Sequence, residues 1–276
     1  MLVARISAGL GAFIVMFALA LPGQAADRAR IEAYLEVTGF DVSLESIALS
    51  AKSAPAMLGL EEGDFGDLWQ RRAEKVFDPG LMHEMGAGML EATLTDDLLT
   101  HAADFYAGDL GQRLVAVENA SHMDESEGRD EKGRKLLETW AEDNPERVKI
   151  LQQMNQAIDS SGHAARALQE VQIRFLMAAS TAGVLERPLD EEALRATMRA
   201  NEADLRASME IGALENAAYV YRDFSNADMA TYLEALQTPE MQEVYTLMNA
   251  VQYEIMANRF EALAVELRGL RQGEDI

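Results

Sequence analysis

Along most of the chain apolar residues return every three or four positions, and the two-residue alternation of half-buried strands is nearly absent. That is the pattern of helices that each bury one stripe. The clearest case lies near the C-terminus: Met241, Val244, Met248, Val251 and Ile255 step by 3, 4, 3 and 4 residues, and Met256, Phe260, Leu263, Leu267 and Leu270 continue on a shifted stripe. A helix of 3.6 residues per turn drifts against a seven-residue repeat, so this seam is expected to meet different neighbours along its length. These Met and Leu residues are read as bundle core in preference to a ligand groove. Helix starts are equally legible. Asp78-Pro79, Asn144-Pro145 and Thr238-Pro239 set an N-cap side chain before a proline whose missing N–H costs nothing in a first turn. Thr95-Asp96-Asp97 and Asp190-Glu191-Glu192 place carboxylates against the positive end of a helix dipole. Ser225-Asn226-Ala227-Asp228 resembles a capping box with Asp in place of Glu. The spacing predicts helices over 28–38, 42–56, 64–77, 79–92, 95–107, 109–121, 131–142, 145–160, 163–183, 190–210, 212–222, 225–237 and 239–271.

Residues 94–114 and 224–244 align without a gap at an offset of 130. Thr95 falls on Ser225 as N-cap, Leu99 on Met229, Ala103 on Leu233 and Gln112 on Gln242. Each unit reads as a capped helix, a tight turn and a second capped helix, and such short links make antiparallel helical hairpins. The expected fold is therefore all-α, a helical bundle of two related helical-hairpin repeats.

The first hairpin also carries a resemblance. Leu94-Thr95-Asp96-Asp97, then Phe105-Tyr106, then Gly111-Gln112-Arg113-Leu114 is similar to the signature of an exported bacterial family known as domain of unknown function 2059. Tyr34-Leu35-Glu36-Val37-Thr38-Gly39 likewise resembles the family's opening. The resemblance covers 28–120 and, more weakly, 145–271, where the second copy lacks Phe-Tyr and has Met241 in place of the glycine. The Ser-Pro usual in the family's turn is Gly108-Asp109 in this chain. The resemblance implies a signal peptide and helical hairpins, and it implies no activity and no catalytic residue.

Between the copies, Ser121 to Lys135 is dense in charge and has no apolar residue after Met123, which reads as a solvated connection or hinge or as one exposed helix face. The expected organisation is a signal peptide over 1–25, repeat unit one over 26–120, a charged connection over 121–144 and repeat unit two over 145–276. Similar helical repeats commonly share a core, so two units need not be two domains.

The leader is read from its own pattern. Arg5 precedes an apolar run from Ala8 to Leu21, which Pro22 ends and Gly23-Gln24-Ala25 follows with small residues. The run is shorter than the ~20 residues of a membrane span, and it ends in a cleavage pattern. Cleavage after Ala25, export to the periplasm and no stable membrane insertion afterwards are expected.

Composition narrows the function classes. With 24 Lys+Arg against 47 Asp+Glu the net charge is −23, which opposes any role that depends on phosphate contacts, so no nucleic acid is expected as partner. There is no cysteine, which removes disulfides, thiolate nucleophiles and thiolate metal sites. The four histidines, His83, His101, His122 and His163, have no paired ligand spacing, and His83-Glu84 lacks the second His of a zincin helix. Asp124-x-Ser126-x-Gly128 fails as a calcium loop because its glycine is one place early and position twelve is Lys135. No Gly-x-Ser-x-Gly elbow, Ser-x-x-Lys or phosphate-binding glycine loop is present. No catalytic residue, metal site or cofactor is expected.

Aromatic residues are the remaining signal. Phe105, Tyr106, Tyr232 and Tyr245 are the candidate partner-contact residues, because Tyr is enriched in binding hot spots, and core packing is the competing reading. Full burial of Tyr106 and Tyr232 would remove them from an exposed face. The reading that follows is an exported, non-enzymatic binding protein acting on other envelope components, most readily a protein, through a groove or face between the units. A carrier of an apolar small molecule or lipid is the alternative and requires a continuous apolar cavity. An envelope-polymer hydrolase would require a cleft with converging carboxylates.

Overall fold

In a computed structural model of the chain, residues 26–51, 66–124, 126, 128–160, 162–185 and 187–268 are described, and no strand occurs among them. The signal peptide expected over 1–25 lies outside the described residues, as do 52–56, 64–65 and 269–271 of three expected helices. The N-terminal half holds α1 (Arg28–Thr38), α2 (Phe40–Ser50), α3 (Gly66–Val76), α4 (Pro79–Thr93), α5 (Asp96–Tyr106) and α6 (Asp109–His122). The C-terminal half holds α7 (Arg129–Asp143), α8 (Pro145–Ile158), α9 (Ala164–Thr181), α10 (Glu191–Ala200), α11 (Glu202–Val220), α12 (Asn226–Leu236) and α13 (Pro239–Glu266).

Caps explain the starts. Asp78, Thr95, Asn144, Asp190, Ser225 and Thr238 each accept a hydrogen bond from a first-turn backbone N–H, satisfying a donor the helix leaves open. Ser225 and Asp228 make both halves of the capping box. One boundary differs from expectation. The break falls at Asn201, not near residue 211, and Gly212 lies inside α11. The Asn201 N–H reaches the carbonyls of Thr197 and Met198 at 3.3 and 3.1 Å, closing α10 as Asn commonly does at helix ends.

The long α13 joins the halves. It packs on α3, α4 and α5 from one side of the sequence and on α8 and α9 from the other. Its buried residues include Met241, Val244, Val251, Ile255, Phe260 and Leu263, the stripe legible in the sequence. The Phe260 ring meets Phe77 of the N-terminal half at 5.0 Å and Phe175 of the C-terminal half at 5.4 Å, both edge-on. Edge-to-face pairs of this kind contribute roughly 0.5–1.5 kcal/mol each beyond burial. A single core cluster contains Ile31, Leu44 and Leu99 together with Phe175, Met229 and Ile255, so the two halves share one core.

Much of the charged stretch 121–144 is helical. Residues 129–143 form α7, which lies along α11, with Leu136, Leu137 and Trp140 packed against the core. Its charge is the outer face of that helix, where Glu131 pairs with Arg134 and, at 3.1 Å, with Lys135.

The two hairpins have coincident bounds at the offset of 130: 96–106 and 109 onward against 226–236 and 239 onward. They pack on each other. His101 Nε2 lies 3.0 Å from Thr238 Oγ1, Arg113 donates to Asp228 at 3.0 Å, and the Phe105 ring stacks on Tyr232 at 5.6 Å. In the first hairpin Gly111 lets α6 approach α5 closely, since an added Cβ would meet the Phe105 carbonyl and Tyr106 backbone. At the same place in the second hairpin Met241 is fully buried, so a side chain is accommodated there. Gly111→Ala is therefore expected to destabilise the protein by about 1–3 kcal/mol despite alanine's better helix propensity. Urea unfolding measures it, and a neutral or stabilising result would show that the turn can open at no cost.

Candidate functional site

A cleft of about 1600 Å³ opens between the halves, bordered by α1, α2 and α6 on one side and by α8, α11 and α13 on the other. Its walls are mixed. Phe40, Ile158 and Met248 alternate with the amide side chains of Gln152, Asn155 and Gln252. Gln252 donates to Ser43 at 2.9 Å, which ties α13 to α2 across the cleft.

The floor is a hydroxyl network. Tyr106 ends α5, Tyr232 comes from α12, Tyr245 from α13, and Tyr221 caps the end of α11. Tyr106 and Tyr245 hydroxyls are 2.6 Å apart, and those of Tyr232 and Tyr245 are 2.9 Å apart. Tyr221 and Tyr232 both donate to Glu118 Oε1, at 2.7 and 3.3 Å. Burial raises the Glu118 pKa above the usual carboxylate range, opposed by the two tyrosine donors. Burial also raises the pKa values of Tyr106, Tyr221 and Tyr232 well above that of free tyrosine, so these hydroxyls stay protonated.

Of the candidate contact residues, the structure brings Phe105, Tyr106, Tyr232 and Tyr245 together, but not on an exposed face. Tyr106 is 4% exposed and Tyr232 is 1% exposed, because both rings are clamped between the packed hairpins. Neither can be part of an outer docking surface. Tyr106, Tyr232 and Tyr245 line the cleft instead. Phe105 is half-buried, stacked on Tyr232 and edge-on to Tyr106 at 5.2 Å. Glu118 was not singled out by the sequence. Its signal was its register: Gly111, Leu114 and Val115 are buried, and Glu118 continues their stripe one turn on.

The cleft is neither a continuous apolar cavity nor closed. Its other carboxylates, Asp159 and Glu210, come from different elements, and Asp159 accepts from the backbone N–H groups of His163 and Ala164 at the start of α9.

A second polar cluster lies where α1, α2 and α4 meet. His83 places Nδ1 2.6 Å from Asp41 and Nε2 2.5 Å from Glu32. The potential ligand atoms of Glu32, His83 and Glu84 lie within 4.8 Å of one another, so these three are the residues that could hold a cation. Sequence spacing alone expected no metal site, since Glu32 is 51 residues from His83. Arg28 already supplies positive charge to both Glu32 and Glu84. Hydrogen bonding to Asp41 raises the His83 pKa, opposed by burial and helped by Glu32. Both ring nitrogens face carboxylates, so the bridge needs the imidazolium. The stability it contributes is full below the unfolded pKa near 6.5 and is lost as pH rises through the folded value. Unfolding midpoints measured from pH 6 upward should therefore fall, and His83→Gln should flatten that fall. An unchanged slope in the variant would remove His83 as its cause.

Residues 81–139 match a family model described as uncharacterized protein conserved in bacteria (DUF2059). The match spans most of α4, all of α5 and α6 and most of α7, and so includes Phe105, Tyr106, Gly111 and Glu118. It takes in the first hairpin and not the second, where Met241 replaces the close-packing glycine. No curated protein and no solved structure matches the chain.

Proposed function

We propose that this chain is an exported, non-enzymatic binding protein of the bacterial envelope that holds its ligand in the cleft between the two halves. The cleft carries the reading. A space of about 1600 Å³ is larger than a single drug-sized ligand needs, and its aromatic and aliphatic walls with a few placed polar groups suit recognition. An acyl chain would leave the Gln152 and Asn155 amides facing hydrocarbon, which disfavours a lipid carrier and favours an occupant with polar groups of its own. Export rests on the leader over 1–25, and no helix among the described residues is long and apolar enough to cross a membrane.

The test is a native mass spectrum of the exported form, recovered from its own cells, for wild type and Met248→Trp. Met248 lines the cleft, and the larger ring would fill part of it. Wild type should carry an adduct that denaturation removes, and Met248→Trp should lack it. Two bare proteins, or the same adduct on both, would contradict the reading.

A further inference from the structure

We infer that the cleft floor is a site for a primary ammonium group on an alkyl stem, such as a polyamine or the lysine side chain of a partner, with Glu118 as its counter-ion. The inference deepens the binding reading above and rests on it.

The first ground is an unmatched carboxyl group. Carboxylates withdrawn from water are normally paired with a cation. Elsewhere in this chain even partly exposed carboxylates are paired: Glu170 with Arg195, Glu261 with Arg174 and Glu266 with Arg72. Glu118 has no such partner. Its recorded bonds come from Tyr221 and Tyr232 alone, both to Oε1, and no Arg, Lys or His bonds to it among the described residues. Oε2 takes none, and the side chain reaches the cleft.

The second ground is the direction of the hydroxyls. Tyr232 donates to Glu118, so it must accept from Tyr245, which in turn accepts from Tyr106. Every proton in the chain Tyr106–Tyr245–Tyr232 thus points toward Glu118, and Tyr221 adds another. Such aligned donors support negative charge on the carboxylate while supplying no net positive charge. The cleft's own cations, Arg129 and Arg206, bond to the Ser121 carbonyl and to Glu202, so neither is placed on Glu118.

Surrounding chemistry selects the kind of cation. A single free oxygen suits a compact ammonium better than the two-pronged guanidinium fork. Tyr34, Phe40 and Tyr253 supply aromatic surface, which attracts ammonium through its ring faces. Ile158 and Met248 offer apolar contact for the stem. Burial raises the Glu118 pKa, so wherever the carboxyl group still carries its proton an arriving ammonium displaces that proton to solvent and takes its place. The ionisable groups acting on Glu118 are Tyr106, Tyr221, Tyr232 and Tyr245. All of them stay neutral in the range where Glu118 titrates. His122 borders the cleft on the same helix but makes no bond to Glu118.

The experiment is calorimetric titration of the exported chain with 1,5-diaminopentane, with a short lysine-containing peptide, and with the bis-acetylated form of each. Saturable binding of either amine probe, abolished by acetylation, is the expected result, and the tighter probe identifies the source. Affinity should rise with pH through the range where Glu118 ionises. Glu118→Gln, which keeps an acceptor for both tyrosines, should lose about tenfold or more in affinity and all of that pH dependence. Equal binding of the acetylated probes, or pH-independent binding by wild type, would overturn the inference even if Glu118→Gln failed to fold. No binding of either amine would overturn it as well. If the Met248→Trp contrast in native spectra persisted in that case, the cleft would remain the binding site and only its chemistry would have been misassigned.

Discussion

Replacing Arg147 with methionine is expected to destabilise the protein by about 3–4 kcal/mol, the largest effect of any single polar side chain outside the cleft. Arg147 is 2% exposed, in the first turn of α8. It donates to the Ser225 carbonyl at 3.1 Å and to the Tyr221 carbonyl, and its guanidinium lies 5.4 Å from the centre of the Trp140 ring. Burial lowers its pKa, opposed through space by Asp228. The two carbonyls belong to the turn between α11 and α12, so the positive charge sits at a helix C-terminus, where the dipole favours it. Methionine would fill the volume but remove the charged donor from both carbonyls, leaving each with only its backbone bond, from Phe224 N–H to Tyr221 and from Met229 N–H to Ser225. Lysine would keep the charge but lacks the fork that reaches both, so it should recover only part of the loss. Urea unfolding of the two variants decides it. A loss below about 1 kcal/mol for Arg147→Met would mean that the turn relaxes to water. The same turn carries Tyr221, so its position also fixes one donor to Glu118.

The second large effect is at the crossing of α7 and α11. A Cβ added at Gly133 would run into the Glu215 carbonyl, a backbone group that cannot swing aside. Gly133→Val should therefore cost about 3 kcal/mol, or split α7 from α11 locally. Gly212 is the internal control, because it lies in α11 and an added Cβ there meets nothing within 4 Å. Gly212→Ala should raise stability by about 0.5–1 kcal/mol through helix propensity alone. Denaturant midpoints measured side by side give the contrast. Equal effects of the two changes would show that backbone entropy, not the crossing, governs both sites.

These residues also mark where the sequence was and was not readable. Helix existence followed from apolar spacing and caps: the proline-led starts at 79, 145 and 239 occur as expected, as does the capping box at Ser225. What local pattern could not convey was which helix faces which. The charges of Ser121 to Lys135 fit a solvated connection and an exposed helix face alike, and one glycine with three apolar residues beyond it suffices to seat α7 on α11. The break at Asn201 was misplaced for a related reason, since Gly212 is the weaker helix former by composition but only Asn201 ends a run of hydrogen bonds. The tyrosines were legible as contact candidates for a groove or face between the units, but the sequence does not show which way they turn. Stacking against Phe105 and burial between hairpins turn their hydroxyls inward. Glu118 is hard to read from sequence because a carboxylate between Val117 and Asn119 resembles an ordinary exposed position. His83 joined Glu32 and Asp41 through tertiary packing that no short spacing records.

The central claim is that the cleft, not the outer surface, is where this protein meets its ligand. The most direct measurement places a photo-crosslinking benzoylphenylalanine at Asn155, on the cleft wall, or at Thr139, on the exposed side of α7, in cells that make the protein natively. The account predicts a discrete mass addition from position 155 that Met248→Trp suppresses, and none from position 139. Equal labelling at both positions, or labelling at 139 alone, would contradict it.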